Sequence, residues 1–78
     1  MKTVQISLNS IGKVKSFVNT ISQFEYDFDL ISGRYVIDAK SIMGIFSLDL
    51  SKPIDLAIHT EDNLNDILEA LKPYIISQ

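Results

Sequence analysis

Between Val4 and Phe24 the spacing of apolar residues changes once, and that change constrains the fold more than any other feature. Val4, Ile6 and Leu8 alternate with polar neighbours, the period of a strand with one buried face. Ile11, Val14, Phe17, Val18, Ile21 and Phe24 then recur at intervals of mostly three and four, one stripe of an amphipathic helix. Asn9 or Ser10 can cap that helix by accepting a backbone N–H bond. Alternation returns at Tyr26, Phe28 and Leu30, with Asp27 and Asp29 facing the other way. Ser32-Gly33 reads as a turn into the β-rich run Arg34 to Asp38, so the two segments form a hairpin. Ile54, Leu56 and Ile58 alternate with Asp55, Ala57 and His59 as a fourth strand. A closing helix follows, with Leu64, Ile67, Leu68 and Leu71 as its buried stripe. Thr60 to Asp62 supply caps and negative charge at its N-terminus, where the helix dipole favours them. Pro73 ends or kinks it, while Tyr74, Ile75 and Ile76 keep the chain packed a little further. With hairpin pairing and helices on one face, this order gives an α+β open-faced β-sandwich.

The chain has 78 residues and reads as a single domain, 1–78. A domain of this size buries roughly 60–65% of its unfolded surface. It has no cysteine, so neither a disulfide nor a thiolate metal site supports it. Packing must suffice, and 46% hydrophobic content with four Phe and three Tyr supplies it. A formal net charge of −3 argues against direct nucleic-acid binding, because no basic stripe exists to neutralise phosphates. The apolar runs are too short to span a membrane. The N-terminal segment lacks the apolar stretch of a secretory signal, so the expectation is a cytoplasmic protein.

The segment Ala39 to Leu50, AKSIMGIFSLDL, is unusual for a surface. Ser41 is a good N-cap, and Gly44 permits one or two helical turns without favouring a long helix. In such a helix Ile45 and Leu48 share one face, while Ile42, Met43 and Phe46 share another. A helix lying on a sheet cannot bury both, so one apolar group is expected to be partly exposed.

AKSIMGIFSL closely resembles the regulatory segment of HPr, the histidine-containing phosphocarrier of the bacterial sugar phosphotransferase system. The run from Val18 to Ser41 is similar to the family's helix, hairpin and serine without a gap, and the order of elements matches along nearly the whole chain. The resemblance implies four antiparallel strands covered by three helices, βαββαβα, the short middle helix starting at Ser41. In Gram-positive members the serine matching Ser41 is phosphorylated by an ATP-dependent kinase, and the product is corepressor of a catabolite-control transcription factor. Residues matching Ile42, Met43 and Phe46, beside Lys40, form the family's docking surface, with Phe46 in place of the more usual methionine.

The carrier loop departs from the family pattern. Its motif, Gly-x-His-Ala-Arg-Pro, precedes the first helix, and the histidine takes the phosphate. Here that region is Asn9-Ser10-Ile11-Gly12-Lys13-Val14-Lys15, with no histidine, arginine or proline. Ser10, Gly12, Lys13 and Lys15 stand as a degenerate carrier loop. A phosphoserine ester is far more stable than a phosphoimidazole, so Ser10 would trap a phosphoryl group. His59, the only histidine, reads as an exposed strand residue. In this the chain resembles the catabolite-repression HPr variants that also lack the histidine.

Lys13 and Lys15 near free helix N–H groups could hold an anion, but read more simply as solvated lysines. Asp27 and Asp29 lack a clear third metal ligand. No Walker loop, metal-binding helix motif or nucleophile elbow is present, so no enzyme, metal or cofactor is expected. The expected function is regulation through Ser41, with a serine kinase, a transcriptional regulator or a phosphotransferase-system enzyme as protein partners. The alternatives are an unphosphorylated adaptor binding through Ile42, Met43 and Phe46, and a small-molecule-binding regulatory module.

Overall fold

The computed structural model describes residues 1–77. The elements run β1 (Lys2–Ile6), α1 (Ile11–Ile21), β2 (Phe28–Ser32), β3 (Tyr35–Asp38), α2 (Ile42–Phe46), β4 (Ile54–Ile58), α3 (Leu64–Leu71) and β5 (Ile75–Ser77). All neighbouring strands are antiparallel, in the order β3-β2-β4-β1-β5. The α+β open-faced sandwich expected from the sequence is present, but the sheet has five strands and not four. The fifth follows Pro73. Lacking an N–H, Pro73 ends the helical ladder, and the next residues turn back: the Tyr74 carbonyl accepts the Ser7 N–H at 2.9 Å, and Ile75 pairs with Ile6.

Several boundaries differ from the periodicity: β1 ends at Ile6, so Leu8 lies beyond it although fully buried, and β4 ends at Ile58, one residue before His59. Helix α1 stops at Ile21, so Phe24 lies in the turn that follows; β2 begins at Phe28, so Tyr26 precedes the ladder. Both aromatic residues still pack against the core, which is why they continue its apolar pattern without sharing its hydrogen bonds. A two-residue loop, Gly33-Arg34, joins β2 to β3, with Gly33 at φ 60° in its first position. Only glycine takes that conformation without steric cost, and it gives the turn a twist that suits a hairpin.

The sheet buries one face. Val4 and Ile6 of β1, Phe28 and Leu30 of β2, and Ile54, Leu56 and Ile58 of β4 meet Val14, Phe17 and Ile21 of α1 and Ile67 and Leu71 of α3. Tyr74 closes one end, its ring edge-on to Phe17 at 5.6 Å and 80°, with its hydroxyl hydrogen-bonded to Ser16. The uncovered face carries Gln5, Asp29, Asp38 and Asp55. Among the described residues no helix is long and apolar enough to cross a membrane. Truncating Phe17 to Ala should cost about 3–5 kcal/mol, read as a lower denaturation midpoint in urea; a change under about 1 kcal/mol would mean that α1 is not held by this core.

Candidate functional site

Helix α2 is one and a half turns fixed at three points. Ser41 adopts an extended backbone and its Oγ accepts the Gly44 N–H at 3.2 Å, so it caps the helix as its residue type favours. Ile45 is fully buried and pins the helix to the core. At the other end the Ser47 hydroxyl donates to the Gly44 carbonyl at 2.6 Å. Gly44 lies against β3: a Cβ there would stand 3.3 Å from Ile37 Cδ1 and from Ser41 Oγ, so glycine lets α2 sit close to the strand.

With Ile45 inward, the opposite face of α2 is turned to solvent. Met43 is 78% exposed and Phe46 41%, whereas Ile42 is half-buried and packs on the core. The apolar trio is therefore split, two residues outward and one mostly structural. A shallow groove lined by Asn9, Ser10, Ile11, Phe46, Leu50 and Ser51 joins α2 to the start of α1. Ile11 is 64% exposed and extends this apolar surface. The periodicity placed Ile11 on the buried stripe of α1, and only its position in the first turn, beyond the edge of the core, distinguishes it.

The structure places Lys40 differently from a solvated docking residue. Its ammonium donates to the Phe24 carbonyl at 2.8 Å and lies 5.5 Å from the Phe28 ring centroid. It ties the turn after α1 to the start of α2, a bond that a charged donor strengthens.

At the degenerate loop, Ser10 caps α1, its Oγ accepting the Lys13 N–H at 3.1 Å. Gly12 is the second residue of the helix, and Lys13 and Lys15 point to solvent. The loop and α2 thus meet through Phe46 and Ile11, whereas Ser41 lies at the far end of α2. His59 follows β4 on the uncovered sheet face, with Nε2 2.8 Å from Asp29 Oδ2. The main chain adds to this pairing, the His59 N–H donating to the Asp27 carbonyl at 3.1 Å. Asp49, in the loop after α2, has its carboxyl held below the usual carboxylate range by hydrogen bonds from the Ser51 hydroxyl and N–H. Among the described residues, no group of three or more acidic or histidine side chains is placed to hold a metal ion.

The geometry is that of a small open-faced α+β sandwich with a serine-capped helix at one corner, its exposed side apolar. The family model described as the HPr component phosphorylation site of the phosphotransferase system matches residues 13–76, and the chain belongs to the HPr family. The match begins at Lys13, after the residues that lead into α1. The chain is similar to HPr-C-His from Thermoanaerobacter tengcongensis, at 29% identity over 94% of this chain and 89% of that one, with a TM-score of 0.76. It is likewise similar to a phosphocarrier protein HPr from Bacillus anthracis str. Ames, at 29% identity over 96% and 94%, with a TM-score of 0.70. No curated protein matches the chain.

The split of the apolar trio is measurable. Met43→Asp should leave stability within about 0.5 kcal/mol of wild type, as for other exposed positions. Ile42→Asp should cost roughly 1–3 kcal/mol, because a carboxylate would replace apolar packing. Thermal melts compare the two, and equal losses would contradict the assignment.

Proposed function

We propose that this HPr-family chain is a regulatory protein of carbon catabolite control that acts through phosphorylation of Ser41 and does not relay phosphoryl groups. The observation that carries this reading is the pairing of an intact, exposed Ser41 cap beside Met43 with a carrier loop that holds no histidine. In the kinase reaction, the bond between the γ-phosphorus of ATP and its bridging oxygen breaks. Ser41 Oγ becomes the new ester oxygen, its proton passes to the kinase's base, and ADP leaves. The ester adds roughly −1.5 to −2 charges. The first-turn N–H groups of Ile42 and Met43, which have no carbonyl behind them in any helix start, face that charge. Lys40 already donates to Phe24, so the phosphate alters the surface more than it recruits a new ion pair.

The switch is then electrostatic and local, a dianion beside Met43 and Phe46. It repels acidic partners and suits one that presents arginines. The partners of this reading are a serine kinase, a transcriptional regulator and phosphotransferase-system enzymes, all in the cytoplasm, and the protein catalyses nothing itself. A second reading keeps the exposed pair and omits the phosphate: an adaptor that docks through Met43 and Phe46. It is favoured by the groove that continues from Phe46 to Ile11.

Incubation with ATP and an HPr-directed serine kinase, followed by intact mass measurement, should add one phosphate to wild type and none to Ser41→Ala. That variant should also lose about 0.5–2 kcal/mol as a missing cap. Absence of phosphate on wild type would leave the adaptor. Phosphoenolpyruvate with enzyme I should give no labelling, and label on His59 passed on to a sugar permease domain would overturn the non-carrier assignment.

A further inference from the structure

The exposed face of α2 carries a single sulfur, that of Met43. Met43 is 78% exposed in the first turn, while Ile45 is the residue of α2 that is fully buried and holds the helix to the core. Met43 belongs neither to the core nor to the apolar side chains packed against it. Ser41, whose Oγ caps the same turn, stands two residues away. The chain has one other methionine, Met1, 69% exposed, with its ammonium 3.1 Å from Glu61 Oε1. Oxygen added to a buried methionine sulfur disrupts the packing around it. Met43 supports no such packing, so its sulfur can change state while the fold stays intact.

We propose that Met43 is a reversible oxidation site, and that its sulfoxide withdraws the exposed face of α2 from protein partners. This rests on the reading that partners dock at Met43 and Phe46. The oxidant is a hydroperoxide. The sulfur lone pair attacks the terminal peroxide oxygen, the O–O bond breaks and an S–O bond forms. Two electrons pass from sulfur to the peroxide, whose other oxygen takes up the proton and leaves as water or an alcohol. A thiol-dependent reductase runs the return: two thiols become a disulfide, water leaves and the thioether is restored. The sulfoxide is a polar group whose oxygen accepts hydrogen bonds from water. A partner closing over it strips that water away with no donor in its place, a cost the thioether does not carry. The change adds no charge, so it is distinct from a phosphate at Ser41 and acts whether or not that serine is modified. With one sulfur on this face, one oxygen atom sets its state.

Graded hydrogen peroxide, followed by intact and fragment mass measurement, tests the site. Wild type should gain one oxygen at Met43 and one at Met1, and Met43→Leu one at Met1 only. Oxidised wild type should melt within about 3 °C of the untreated protein, as for other changes at exposed positions. With ATP and an HPr-directed serine kinase it should take up phosphate about tenfold more slowly, the effect of losing one apolar anchor. Methionine sulfoxide reductase should restore the rate, and peroxide should not slow Met43→Leu. Retention on a phenyl matrix reads the same face without a kinase. There peroxide should advance the elution of wild type clearly more than that of Met43→Leu. A chain that takes no phosphate even untreated ends the kinase reading, and the column then decides this proposal alone. Met43 left as the thioether while Met1 is oxidised overturns it. So does a fall in melting temperature beyond that range, labelling that peroxide does not slow, or an elution shift no larger in wild type than in the variant.

Discussion

Strand β4 enters the chain late, at Ile54–Ile58, yet it lies between β2 and β1 and hydrogen-bonds to both. Among the described residues the β2–β3 hairpin and the β1–β5 pair are joined in the sheet through it alone, and its Ile54, Leu56 and Ile58 belong to the core. This insertion makes the sheet one object. It also fixes both ends of the segment between β3 and β4, because Asp38 and Ile54 are each held by the ladder. Within that bracket α2 cannot drift, and the burial of Ile45 sets its rotation. Rotation decides which side chains face solvent, so the exposure of Met43 and Phe46 follows from pairings made far away in sequence. Contacts of this long range make folding slower than in a helical bundle of equal length.

The two faces of the molecule differ in chemistry. The uncovered sheet face carries Asp29, Asp38 and Asp55, with His59 bound to Asp29. The covered side shows exposed apolar groups at α2 and at the start of α1, with Lys13 and Lys15 nearby in the chain. A dianion at Ser41 would therefore lie beside the exposed apolar side chains of α2, where an added charge alters recognition most. The short α2 has little dipole of its own, so the effect of phosphate rests on its charge and on the N–H groups of one helical turn.

Most of the architecture was legible because one-sided burial imposes periodicity. Val4 and Ile6 mark the first strand, with Leu8 continuing their pattern from the buried loop beyond it; Ile54, Leu56 and Ile58 mark the fourth, and Ser41 with Gly44 the short helix. Phe24 and Tyr26 misled in the same way as each other: both pack on the core from a connecting turn, and apolar packing leaves the same signature there as in a regular element. The fifth strand escaped because three residues after a proline are too few to establish a period, although Tyr74 to Ile76 already carried the apolar signal. At the candidate site, spacing shows the cap and an apolar trio of Ile42, Met43 and Phe46, but not that Ile42 packs on the core while the other two face solvent. Nor does it show the bond from Lys40 to Phe24, since nothing in sequence brings an ammonium to a carbonyl sixteen residues away. Ile11 was equally opaque, because a stripe residue at a helix end is buried or exposed according to where the core stops.

The central claim is that α2 is a rigid corner whose surface changes chemistry while the fold beneath it does not. Backbone amide shifts recorded before and after treatment with kinase and ATP test it directly. The account predicts that shifts are confined to α2 and its flanks, from Lys40 to Ser47, with the amides of Phe17, Leu56 and Ile67 unmoved. Changes spreading through β4 and α1, or changes centred on Ser10 with none at Ser41, would contradict it.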